Sequence, residues 1–220
     1  MAPNRGSLIV LEGLDRSGKS TQCERLVTFL RHSGHSVSHL RFPNRSTPIG
    51  QIINNYLSGS TQTEDHVIHL LFSANRWESA AEIERLIQKG TTVVIDRYYY
   101  SGCVYTAAKQ SPGMDLAWCR QPEVGLPRPD LCLFLDVSAE VAEARGGFGG
   151  ERYEKREMQA KVRELFAEMR GHRDETEDVV VVTADDTVEM VGEEIKKVVL
   201  DVVAKVANAQ WSLRKVEPWS

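Results

Sequence analysis

Residues 13–20 read GLDRSGKS, follow directly on an apolar run, and fit the spacing G-x-x-x-x-G-K-[ST]. Glycines at Gly13 and Gly18 let backbone N–H groups turn inward and wrap a phosphate, where a side chain would be in the way. Lys19 can reach the β- and γ-oxygens of a nucleoside triphosphate, and the Ser20 hydroxyl suits Mg²⁺. A helix starting near Lys19 would add its positive end to the same anions. The pattern is a strong sign of nucleotide binding and leaves open what the phosphate is for.

Two further arginines stand at the ends of apolar runs. Asp96-Arg97-Tyr98 offers a carboxylate for Mg²⁺ or its water beside a guanidinium that can grip a second phosphate. Taken alone, Asp96 could equally cap the helix that follows it. Phe42-Pro43-Asn44-Arg45 supplies the other arginine. Residues 145–154, RGGFGGERYE, place four glycines between charged residues, as suits a flap that closes over anions.

The elements that must carry these groups alternate in type. Apolar runs at 7–12, 36–42, 92–96, 131–136 and 179–183 are expected as strands. Helical patterns lie between them, the first from Lys19 with Leu26, Val27 and Leu30 on one side and Gly34 as its stop. Another covers 64–88, opened by a Thr61…Glu64 capping box. Later ones carry Val162, Phe166 and Met169, then Val191, Ile195 and Val199. Strands alternating with helices give an α/β protein with a parallel sheet, and its ligands bind beyond the carboxyl ends of the strands. Every motif above falls at such an end.

In the 64–88 helix, Val67, Leu70, Leu71 and Ala74 are expected to form the buried stripe. At about 100° per residue that stripe is centred near ~350°, whereas Phe72 falls at about 140° and Arg76 at about 180°. An aromatic one turn from an arginine on the polar face suits a base with a carbonyl oxygen. Packing against another protein element or a second copy is the open alternative.

The 220 residues and 24.7 kDa fit one domain over 1–220. A net charge of −4, from 27 basic and 31 acidic residues, argues against a nucleic-acid binder. No apolar run is long enough to span a bilayer, and the first residues carry no apolar stretch ahead of a cleavage site, so a cytoplasmic or nuclear location is expected. Cys23, Cys103, Cys119 and Cys132 show no C-x-x-C pairing and read as reduced apolar filler. His66 and His69 have no further metal-type neighbours and are expected on a helix surface.

The set GLDRSGKS, FPNR, LLFSANRWE, DRYYYSG, QPEVGLPRPD and RGGFGGERYE resembles the thymidylate kinase family, in its eukaryotic type, over residues 8–206. The resemblance implies a P-loop NTPase-like fold: a five-stranded parallel sheet with helices on both faces and a glycine-rich lid at about 144–154. It implies a homodimer that phosphorylates dTMP from ATP with Mg²⁺. Arg16, Lys19, Asp96, Arg97 and Arg145 would be catalytic, with Mg²⁺ on Ser20 and, through water, Asp96. The ATP side would comprise Gly13, Arg16, Ser17, Gly18, Lys19, Ser20, Thr21, Arg145 and Ala184. On the acceptor side, Arg45 and Arg97 would clamp the phosphate and Asp15 would accept from the sugar 3′-OH. Phe72 would stack on thymine, Arg76 would donate to its carbonyl, and Tyr153 would penalise ribose. Phe42, Leu57, Ser101, Gly102 and Tyr105 would line the pocket. Asp185 and Asp186 put acidic charge beside the expected adenine site, and residues 209–220, with Trp211 and Trp219, carry no interpretable motif.

The alternatives are another small-molecule kinase, a GTPase-like switch and a non-catalytic ATP scaffold. Two strand-end arginines favour an acceptor that already bears phosphate. No N-K-x-D or T-K-x-D guanine motif occurs, and a scaffold would not need Lys19, Asp96, Arg97 and the flap arginines together.

Overall fold

The computed structural model describes residues 5–145, 152–153, 156–209 and 211–220. Five strands, β1 (Leu8–Gly13), β2 (Val37–Arg41), β3 (Thr92–Asp96), β4 (Leu131–Asp136) and β5 (Val179–Thr183), form one parallel sheet in the order β2-β3-β1-β4-β5. β1 and β3 are buried along their whole length because helices cover both faces, which is why they read as continuous apolar runs. The register sets Leu11 beside Asp96, Arg41 beside Asp96, and Gly13 beside Leu135. Gly13, Arg41 and Asp96 therefore sit along one carboxyl edge.

The first three helices each have a local reason to start. α1 (Lys19–His32) begins at Gly18, whose φ of 87° is open to glycine at little cost, and the chain turns away through Gly34 at φ 86°. α2 (Pro48–Leu57) is capped by Thr47, which accepts from Gly50 N at 3.0 Å, with proline at its first position. In α3 (Asp65–Gln88) the cap is Glu64 itself, whose carboxylate accepts from His66 N and Val67 N. The expected Thr61…Glu64 capping box is thus corrected: Glu64 is the N-cap, three places short of Val67, the third helical position from which a glutamate would reach back. α4 (Tyr99–Ala107), α5 (Leu116–Arg120), α6 (Ala139–Ala144), α7 (Arg156–Gly171) and α8 (Val188–Ala209) complete the layers.

α3 also corrects the expected buried stripe. Ile68, His69, Ser73, Arg76, Ala80, Ile83 and Ile87 face inward, while Val67 is 49% and Leu70 48% exposed. Burial here follows available partners rather than hydrophobicity. His69, expected on the surface, is fully enclosed, with Nδ1 2.9 Å from Thr106 Oγ1 and Nε2 2.8 Å from the Cys119 carbonyl. Burial holds its pKa down near 4, so it is neutral at ordinary pH.

All four cysteines are buried free thiols, as expected. The C-terminal residues, unreadable as sequence, are tied to the body. Val216 N donates to Leu126 O at 2.9 Å, Gly125 N donates to Val216 O at 2.8 Å, and the Trp219 ring stacks on His172 at 4.0 Å. Trp219 Nε1 also donates to Glu175, a buried carboxylate that accepts from Arg120 and Tyr99.

Candidate active site

Between β1 and α1 the chain makes the tight turn its glycines permit. Gly13 has φ 141°, and a Cβ there would come within 2.5 Å of Leu135 O. No side chain caps α1, so its first N–H groups stay available to an anion. Lys19 is buried, with its ammonium donating to Leu14 O and, at 3.2 Å, to Ser17 Oγ. Loss of water and the nearby Arg97 pull its pKa down to about 7, against the attraction of Asp15, Asp96 and Glu12. Thr21 lies on the exposed side of α1.

Ser20 Oγ donates to Asp96 Oδ2 at 2.6 Å, and Arg41 Nε stands 3.5 Å from the same oxygen. Asp96 Oδ1 is buried without a partner. An orphaned carboxylate oxygen beside a hydroxyl fits Mg²⁺, which takes few protein ligands and fills its shell with water and phosphate oxygens. Among the described residues, no group of three or more His, Cys, Asp or Glu side chains could hold a metal ion.

Arg97 has φ 66°, and its guanidinium spans the phosphate loop: Nη1 donates to Ser101 Oγ at 3.1 Å and Gly13 O at 3.4 Å, and Nη2 to Asp15. Burial opposes its charge, but Tyr105, Asp15, Glu12 and Asp96 outweigh that and raise its pKa. Burial likewise opposes ionisation of Asp15, yet Arg97 and Lys19 bring its pKa below the ordinary value. Both are charged at neutral pH.

A cavity of about 290 Å³ opens beside this loop. Asp15, Phe42, Arg45, Leu57, Phe72, Arg76, Arg97, Ser101, Gly102, Tyr105 and Tyr153 line it together, so the structure brings every residue expected on the acceptor side around one space. Arg45 Nη1 donates to Asn54 Oδ1 at 2.8 Å. The premise for Arg76 needs correction, however. It is not on a solvent-facing polar side but buried, and ion-paired with Glu123 at 2.5 Å.

On the opposite side of the loop, Arg145 donates through Nη1 to Arg16 O at 2.8 Å and through Nη2 to Ala184 O at 2.6 Å. Arg145 thus joins the phosphate loop to the turn after β5. Asp185 accepts from Ser138 N at 2.7 Å. Of the glycine-rich flap, residues 146–151 and 154–155 lie outside the described residues. Arg152 donates to Tyr56 O, Thr61 O and Gln62 Oε1, so it holds the flap's end to α2 rather than facing the phosphate loop.

Three functional candidates escaped the sequence reading. Glu12, fully enclosed, accepts from Tyr98 N, Ser101 N and Ser101 Oγ, pinning the start of α4 under Arg97; burial raises its pKa. A carboxylate closing an apolar strand was its visible signal. Gln159 of α7 donates to Asp15 Oδ2 at 2.7 Å, with no signal in its neighbours. Glu123 stands in QPEVGLPRPD, whose spacing gives no role that the fold does not supply.

Comparison with known proteins gives one consistent result. Residues 11–195 match the family model described as thymidylate kinase. The chain is similar to the thymidylate kinase of Homo sapiens, 46% identical over 92% of this chain and 94% of that one. It is 48% identical to that of Schizosaccharomyces pombe, over 90% and 94% respectively. Among solved structures, thymidylate kinase from Candida albicans superposes with a TM-score of 0.85 at 38% identity, covering 96% of this chain and 98% of that one.

Proposed function

This chain belongs to the thymidylate kinase family, and from that premise we propose that it transfers the γ-phosphoryl group of ATP directly, in line, onto the 5′-phosphate of dTMP. The product, dTDP, is a step towards dTTP. The observation that carries the reading is the cavity itself. Arg45 and Arg97 stand among its lining with Phe72 and Arg76, and it adjoins the phosphate loop. An acceptor with a phosphate and a carbonyl-bearing flat base is what such a lining would hold.

A phosphate monoester is mostly dianionic at neutral pH, because its second pKa is about 6. No general base is needed, and none of the described residues around Arg97 has to serve as one. The task is to bring two anions together and neutralise the charge that builds between them. Lys19 and Arg16 would serve the donor, Arg97 and Arg45 the acceptor, and Arg145 the adenine side. Mg²⁺, when bound at Ser20 and near Asp96, would neutralise β- and γ-oxygens and align them. Asp15 would accept from the 3′-hydroxyl, and Tyr153 would crowd a 2′-hydroxyl.

We also read the protein as a homodimer. α3 lays Val67, Leu70 and Trp77 along its outer side, each more than two-fifths exposed, a row that a second copy would cover.

A coupled ADP-release assay with a panel of nucleoside monophosphates tests the acceptor. dTMP should be turned over in preference to dCMP, dGMP and the ribose nucleotide UMP. Equal turnover of UMP and dTMP would remove the sugar claim, and a purine monophosphate as best substrate would overturn the reading of the cavity.

A further inference from the structure

Arg76 and Glu123 form an ion pair with almost no water around it, at 2% and 0% exposure. Arg76 Nε donates to Glu123 Oε2 at 2.8 Å and Nη2 donates to Oε1 at 2.5 Å, a two-point grip along one side of the guanidinium. The other side rests on α4: a Cβ on Gly102 would come within 2.6 Å of Nη2 and 2.9 Å of Nη1. Any larger residue there would push the guanidinium from this position.

Glu123 is itself held in place. It ends a single 3₁₀ turn, Gln121–Glu123, whose Pro122 carbonyl accepts from Ser73 Oγ at 3.1 Å and from Trp77 Nε1 at 2.8 Å. Both donors lie on α3, the helix that carries Arg76. The turn, the helix and the glycine together leave the guanidinium one orientation. Glu123 takes one N–H each from Nε and Nη2, so Nη1 and the second N–H of Nη2 remain for an acceptor in the cavity that Arg76 lines.

We propose that Glu123 is the positioning residue for base selection, holding Arg76 so that the cavity accepts a pyrimidine with a carbonyl and rejects one with an amino group at the same place. The inference rests on the reading of this cavity as the dTMP site. Its chemistry is that a guanidinium has donors and no acceptor. Held still, it can satisfy the carbonyl of thymine but meets the amino group of cytosine donor to donor. A free arginine could swing away from that clash, and the discrimination would fall. Stability alone is a poor reason for such a pair, since buried ion pairs are often no better than apolar residues of the same volume.

The test is the affinity of dTMP and dCMP, by calorimetry, for the wild type, Glu123→Gln and Glu123→Asp, with KM and kcat for dTMP. The Gln amide would turn a donor towards Arg76 and break the two-point grip. The dTMP:dCMP affinity ratio should fall by about tenfold or more, through KM rather than kcat, with ATP affinity unchanged. Asp, which keeps the charge, should restore most of the ratio. Equal weakening of both nucleotides, or an unchanged ratio, would show Glu123 to be merely structural and overturn the proposal. If Glu123→Gln does not fold, Gly102→Ala reads the same quantity: its Cβ displaces the guanidinium, and an unchanged ratio again overturns it. A wild type with no preference for dTMP over dCMP would instead sink the reading of the cavity.

Discussion

Arg97 and Lys19 show how two cations can share a buried site and still do different work. Arg97 is held by Asp15, Ser101 and the Gly13 carbonyl, on the cavity side of the loop. A charge-assisted bond to phosphate contributes about 1.5–3 kcal/mol, so Arg97→Ala should weaken dTMP binding roughly ten- to hundredfold. ATP binding, measured in the same titration, should stay nearly unchanged; a loss confined to ATP would assign Arg97 to the donor. Lys19 is the opposite case, its pKa pulled down to about 7 by burial and then by Arg97. A triphosphate would raise that pKa again, so the bound form keeps its proton to higher pH than the protein alone. Below about pH 7 Lys19 is already charged and binding takes up no proton. Above it, binding draws one in, and ATP affinity declines as pH rises towards 9. Calorimetry at pH 8 in buffers of different ionisation enthalpy should report uptake of about one proton per ATP at this site. No uptake would mean that Lys19 keeps its charge throughout.

α3 separates what its sequence could say from what it could not. Phe72 and Arg76 do share the face that lines the cavity, but the core stripe of the helix is not the one its apolar spacing suggests. Val67 and Leu70 are apolar and outward, whereas His69, Ser73 and Arg76 are polar and inward. Hydrophobic periodicity reports that a face will be covered, not whether its own core or another protein covers it. The inward polar groups are satisfied by Thr106, Pro122 and Glu123, all distant in sequence, and such pairing leaves no local pattern to read. Gln159 is hidden for the same reason, since its partner Asp15 is distant in sequence. The strand-end motifs were legible because a phosphate loop needs glycines, a lysine and a hydroxyl at one spacing, and little else uses it. The outward row on α3 has its own consequence. Leu70→Glu should leave the helical circular dichroism intact and convert the protein to a monomer by sedimentation. A variant that sediments as the wild type would place any interface elsewhere.

At the scale of the whole molecule, the sheet order does the assembling. β1 stands between β3 and β4, so the phosphate loop, the Asp96-Arg97 turn and the chain after β2 converge along one edge. Strand alternation made that edge predictable. What closes the far side was not: residues 211–220 reach back through a bridge between Pro127 and Lys215 and through Trp219 on His172, contacts with no periodic signature. In the proposed reaction, a phosphate monoester held in the cavity attacks the donor bound at the loop. The most direct measurement is to mix the protein with Mg²⁺, dTMP and ATP labelled in its γ-phosphoryl group, and follow the label by chromatography. Label should appear in dTDP, one for one with ADP formed and dependent on dTMP. Label released as free phosphate, or appearing on the protein and not on dTMP, would contradict it.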